Sequence, residues 1–248
     1  MKFKEKLVDL SQRDIFSIAG KDAYTFLQNI LSNDLDKVVK DKLQYSLLLS
    51  PGGKILYDFF IFRIKEKYYL DTTKSNLQEI FDLLHKYKLG AAINIKREKL
   101  QLTLGNIKIC DLSFIDPRCS ELGYRSYTLT SQESTESQTQ YKRNSYTVKR
   151  LRYLVPESGH DFYPNSHLAL DLDMYRLDAI SFTKGCFIGQ EVIAKIFYRG
   201  KNKKILNYVM LEKTLKVTEG YLYKGDLRIG KVIKCYDDGI LINKNVLV

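Results

Sequence analysis

Apolar positions change their spacing several times along the chain. After Gly20, the residues Ala23, Phe26, Leu27, Ile30 and Leu31 fall at i, i+3, i+4, i+7 and i+8. That spacing predicts one face of a helix, with Asn33-Asp34 as its stop. From Tyr45 the pattern becomes strand-like: 46–49, a Pro51-Gly52-Gly53 turn, then 55–64. The last run is almost continuously apolar, which predicts burial on both faces. Ser75 and Gln78 can form a capping box for a second helix, with Leu77, Ile80, Phe81 and Leu84 as its face and Gly90 as its end. Short strands are expected at 92–96, 99–104 and 107–110. This succession suits an α+β layer, with helices on one side of an antiparallel sheet. Past Lys204, the runs 205–211, 221–223, 227–234 and 240–248 read as strands, with turns at Gly225-Asp226 and Asp238-Gly239. A small all-β C-terminal domain, a partial barrel, is expected from about 201.

Composition narrows the class. The 248 residues can form one large domain or two to three small ones, and 44% hydrophobic with 28% charged content is that of a globular protein. No apolar run approaches the roughly 18 residues of a membrane span. The opening MKFKEKLVDLSQRD lacks an apolar signal stretch and carries acidic residues, so a cytoplasmic location is expected. A net charge of +11 can attract RNA, an acidic protein or a small polyanion, or can reflect a solvated lysine-rich surface. The one local concentration of cations is Lys195, Arg199, Lys201, Lys203 and Lys204. Residues 131–140, SQESTESQTQ, read as a mobile surface loop. Four cysteines show no zinc spacing, and no metal site is assigned. Cys110 and Cys235 are expected as small core residues and Cys119 as a loop residue. His85, His160 and His167 receive no role.

The chemistry concentrates in Lys184-Gly185-Cys186-Phe187-Ile188-Gly189-Gln190-Glu191. Val192, Ile193, Ile196 and Phe197 then mark the start of a helix. A helix N-terminus and a neighbouring ammonium both favour thiolate over thiol, so Lys184 is expected to activate Cys186. Gly185 and Gly189 permit φ > 0 or close approach of a flat ligand. Gln190 and Glu191 offer a donor and acceptors for a heterocycle edge. The competing reading is a glycine-rich turn entering a helix, with Glu191 complementing the dipole; it gives no reason for the Lys-Gly-Cys run.

The octapeptide KGCFIGQE resembles the K-G-C-[FY]-x-G-Q-E signature of the YgfZ family of folate-binding proteins. Similar too are the run through SFTKGCFIGQEVIAK, the segment Arg152-Tyr153 with Val155-Pro156-Glu157, and Gly20-Lys21-Asp22-Ala23 with Phe26-Leu27-Gln28 and Asn33-Asp34. The upstream segment is similar to that of the mitochondrial iron–sulfur assembly branch. The resemblance covers most of the chain. It implies a GcvT/YgfZ-like three-domain arrangement around a central opening for tetrahydrofolate. Residues 1–44 and 111–200 would form a discontinuous folate-binding-type domain, 45–110 an α+β ferredoxin-like subdomain, and 201–248 a short C-terminal β-barrel-like domain. It implies an accessory factor for assembly or repair of iron–sulfur clusters, four-iron clusters of tRNA-modifying radical enzymes included, with scaffold or client proteins as partners. Cys186 and Lys184 would be the working pair; Gly185, Gly189, Gln190, Glu191, Asp58 and Arg152 would face the cofactor. The alternative is a tetrahydrofolate-dependent aminomethyl or one-carbon transferase. There a Gly-Gly turn leads to two adjacent acids, whereas here Gly52-Gly53 leads to Tyr57-Asp58, which weakens charge stabilisation at the folate nitrogen. An RNA-binding module using the basic run is a third reading.

Overall fold

The structure is a computed structural model, and it describes residues 8–9, 12–129, 145–199 and 204–245. The expected loop at 131–140 and the cations Lys201 and Lys203 lie outside the described residues.

Three antiparallel sheets organise these residues. The first, in the order β3-β4-β5-β2-β6, joins Gln44–Leu49, Ile55–Ile64, Lys67–Thr73, Arg13–Ala19 and Asn94–Arg97. The second, β1-β7-β9-β8, joins Val8–Asp9, Leu100–Gly105, Tyr124–Leu129 and Ser113–Ile115. The third is C-terminal, β10-β14-β13-β12-β11, built from Lys204–Met210, Gly239–Asn245, Leu227–Cys235, Tyr221–Lys224 and Leu215–Thr218. Among the described residues four α-helices accompany them: α1 Ala23–Ile30, α2 Leu77–Lys88, α3 at 145–152 and α4 Gln190–Arg199.

Strand β4 shows why its sequence is apolar throughout. Alternate side chains point to opposite faces of a strand. Tyr57, Phe59 and Ile61 therefore join one hydrophobic cluster with α1 and α2, while Phe60 and Phe62 join the other. Ala23, Phe26, Leu27 and Ile30 of α1 and Leu77, Ile80 and Leu84 of α2 are the buried faces expected from their spacing. Asp58 sits between Tyr57 and Phe59 on the Phe60 face. The single charged residue in a run of aromatics is thus carried into the interior.

Several local expectations are corrected. The capping box does not form: Ser75 Oγ bonds the side chain of Asn76, and a short 3-10 turn, Lys74–Asn76, precedes α2. Residues 107–110 are not a strand. The hydroxyl of Ser113 accepts from the amides of Ile109 and Cys110, so a side chain takes the bonds a ladder would need. Cys235 is exposed and Cys110 only half-buried. A boundary at residue 44 would cut the first sheet, because β2 pairs with both β5 and β6. Likewise β7, inside the expected 45–110 unit, pairs with β1 and β9 of the second sheet. No described helix is long and apolar enough to cross a membrane.

Candidate functional site

The Cys186 turn hangs between two fixed points. On its C-terminal side Gly189 has φ +81°, and a Cβ there would lie 2.5 Å from the main-chain oxygen of Ser50 and 3.1 Å from Leu49 Cβ. Facing it, Gly53 has φ +76°, and its Cβ would meet Ile193 of α4 at 2.8 Å. The Pro51-Gly52-Gly53 turn and the start of α4 thus approach each other backbone to backbone, which only glycine permits. Gly185 differs: it has no positive φ, and nothing lies within 4 Å of where its Cβ would be.

On the N-terminal side, Lys184 is buried and its Nζ donates to the carbonyls of Gln28 at 2.6 Å, Leu31 at 2.7 Å and Asn33 at 3.0 Å. Gln28 lies in the last turn of α1, where helical C=O groups lack intrahelical partners, Leu31 is its C-cap and Asn33 lies in the loop just beyond. Burial pushes the ammonium down to about 8, although Asp34 and Asp36 pull the other way. The expectation that Lys184 activates Cys186 is therefore corrected. Its three donors are occupied by main-chain oxygens of another element, none of them near the thiol. Phe187 packs into the core, and its amide donates to Gln190 Oε1 at 3.3 Å. Cys186, between these anchors, is exposed.

The proposed ligand-facing groups are not gathered at this turn. Gln190 is spent on the local amide bond. Glu191 is exposed and pairs with Lys195 at 2.5 Å, one turn along α4. Arg152 is exposed on α3. The buried arginine of that helix is Arg150, two residues earlier, which pairs with Glu157 and Asp161 and donates to Tyr236 Oη at 2.9 Å. Asp58 is buried, which excludes a solvent-facing role; Arg13 approaches Oδ2 at 3.5 Å and Tyr45 Oη donates to it at 3.3 Å. Its Oδ1 is buried without a hydrogen-bond partner. Tyr57 points the other way and donates to Glu79 of α2, and burial with that hydrogen bond raises its phenol to about 12.

Around Asp58 lies a network that sequence reasoning missed. Asp71 receives Arg13 Nε at 2.5 Å, Arg125 Nη2 at 2.8 Å and Tyr127 Oη at 2.9 Å. Asp116 takes a bidentate pair from Arg118, at 3.0 and 2.8 Å, and a contact from Arg125 at 3.3 Å. The guanidiniums of Arg125, Arg118 and Arg13 all lie over the ring of Phe60, at 3.5, 4.7 and 4.9 Å. Burial alone would raise Asp71 and Asp116, but the facing arginines hold both carboxyls below their ordinary range. Three arginines thus neutralise three aspartates inside the protein, and the network clamps the second sheet to the first. Its signal in the sequence is the charged residues inside apolar strands: Arg13, Asp58, Asp71 and Arg125.

Residues 2–110 match the GCVT N-terminal domain. The chain superposes on the crystal structure of glycine cleavage system aminomethyltransferase T from Bartonella henselae with a TM-score of 0.68, covering 96% of this chain and 77% of that one at 16% identity. The fold is GcvT-like. A mitochondrial iron–sulfur cluster assembly factor IBA57 homologue of Mycosarcoma maydis is 25% identical over 80% of this chain and 55% of its own length. A second IBA57 homologue, from Coccidioides immitis, is 25% identical over 84% of this chain and 57% of its own. An aminomethyltransferase of Caldanaerobacter subterraneus is 22% identical over 93% of this chain and 72% of its own. The chain thus spans a little over half the length of these fungal relatives.

Proposed function

We propose that this GcvT-like chain is an accessory factor for the assembly or repair of iron–sulfur clusters, using Cys186 as a transient thiol ligand. The observation that carries this reading is the exposed thiol on a turn seated at both ends. Its similarity to proteins named as iron–sulfur cluster assembly factors supports it. A cluster normally takes about four protein ligands. Among the described residues no three of His, Cys, Asp or Glu come together to hold a metal. Cys186 would then supply one ligand while a cysteine-bearing scaffold or client supplies the others. Cys186→Ser should fold with an unchanged melting temperature yet fail to support maturation of four-iron enzymes in cells lacking the protein. Full complementation by that variant would overturn the thiol role.

Tetrahydrofolate fits as a cofactor on one observation, the buried Asp58 Oδ1 without a partner. That oxygen is an acceptor for an N–H group of a heterocycle, while Arg13 and Tyr45 hold the other oxygen and so fix the carboxylate's orientation. The chemistry folate would supply is one-carbon carriage. Gly185, Gly189, Gln190, Glu191 and Arg152 remain proposed cofactor neighbours on the strength of the motif alone. Calorimetric titration with tetrahydrofolate should show binding that Asp58→Asn weakens about tenfold or more, the order of one charged hydrogen bond. Equal binding by wild type and Asp58→Asn would remove Asp58 from the site. The same free oxygen is what favours the alternative, an aminomethyl or one-carbon transferase. Turnover of an aminomethyl donor abolished in Asp58→Asn would establish it, and no turnover would exclude it.

A further inference from the structure

We propose that Lys184 is a positioning residue that latches the Cys186 turn onto the C-terminal end of α1. The inference rests on the reading of Cys186 as the working thiol, and it concerns how that thiol is presented.

The geometry divides the segment before α4 into two parts. Residues 178–181 are stitched to the loop after α1 by their own bonds. Asn33 Nδ2 donates to Asp178 O at 2.5 Å, Ser32 Oγ donates to Ala179 O at 2.6 Å, and the Ser181 amide donates to Ser32 O at 2.9 Å. From Gly189 onward the chain is seated against Ser50 and Gly53. Between them, Gly185 and Cys186 are exposed, and Gly185 touches nothing that a side chain would meet. The turn is held from within by the packing of Phe187 and by the Lys184 ammonium. A cation at a helix C-terminus is favoured by the partial negative charge of its carbonyls, and charge-assisted bonds are the stronger kind. The groups facing Nζ are Asp34 and Asp36, acting electrostatically, and the ring of Phe187 at 5.4 Å. Asp178 is paired instead with Lys37 at 3.1 Å.

The test uses the full chain carrying Cys235→Ser, so that Cys186 is the exposed thiol, labelled with a trifluoromethyl ketone and followed by fluorine NMR. In the Lys184 chain the resonance should be dispersed and sharp. Lys184→Met should move it toward the mobile-chain position, and Lys184→Arg, which keeps a charged donor, should hold it closer to the Lys184 position than Lys184→Met does. Hydrogen exchange at the Phe187 amide of the unlabelled protein should quicken at least about tenfold in Lys184→Met, the order expected for losing a charge-assisted hydrogen bond. Protection at 179–181 should be retained. An identical resonance and exchange rate in Lys184→Met would overturn the latch. If Lys184→Met does not fold, Lys184→Gln is measured in its place, and an unchanged resonance and exchange rate in that variant would overturn the latch. None of these readouts depends on cluster chemistry, so failure of the latch and failure of the thiol's function in cells are separate results.

Discussion

Substituting the two motif glycines separately tests the geometry of the turn. In Gly189→Ala the new residue must hold φ near +81°, and its Cβ would stand 2.5 Å from Ser50 O and 3.3 Å from Gly53 Cα. Holding a non-glycine residue in the left-handed region costs about 1–2 kcal/mol. Relieving a contact with backbone, which has no rotamer to yield, adds about 1–3 kcal/mol of overpacking. The sum, about 2–5 kcal/mol, corresponds to a fall in melting temperature of roughly 5–20 °C for a chain of this size. Gly185→Ala meets neither penalty and should melt within about 2 °C of wild type, as surface substitutions usually change stability by less than about 0.5 kcal/mol. Thermal unfolding followed by circular dichroism reads both. If Gly189→Ala melts with wild type, or if Gly185→Ala loses as much, the backbone-to-backbone seat is wrong.

Two further predictions concern the charge network. Arg125→Met leaves Asp71 and Asp116 each short of a partner, and breaking a buried pair on one side costs about 3–5 kcal/mol; chemical denaturation should show that loss, and an unchanged midpoint would mean that the network contributes nothing. Asp71, Asp116 and Glu157 all have carboxyls lowered in the fold, so their contribution is fully present above the unfolded value near 4 and is lost as pH falls below it. Melting temperatures should therefore drop steeply from about pH 5 to pH 3, and less steeply in Asp71→Asn; parallel curves for the two proteins would refute the assignment.

The elements most legible in the sequence were those whose burial follows a period. The faces of α1 and α2 and the whole of β4 could be read because one stripe or both faces of each are apolar. Strand β2 escaped because it opens on Arg13 and Asp14, which look like a polar loop until Asp71, Asp58 and Arg97 are brought across from other strands. Charge inside a strand carries no period. Only the pairing register decides which charges meet, and that register is tertiary information. The second sheet was legible only in β7, since β9 contributes Arg125 and Tyr127 to the same network and so lacks a plain apolar face.

The same limit explains what could and could not be read from the octapeptide. Residue types announced a site, and the exposure of Cys186 agrees with them. Adjacency suggested that Lys184 serves the thiol electrostatically, but a lysine stem is long enough to place its ammonium well away from its sequence neighbours. Here it reaches three carbonyls lying more than 150 positions earlier in the chain. A strongly hydrated ammonium is buried only where fixed oxygens replace its water, and the end of α1 is such a place. The cation thus serves the thiol through the backbone, by fixing where it stands, and the glycine that matters sterically is Gly189 on the opposite side. A thiol placed this way is kept free of local partners. That suits a group that must meet ligands brought by another protein better than one activated for attack within its own site.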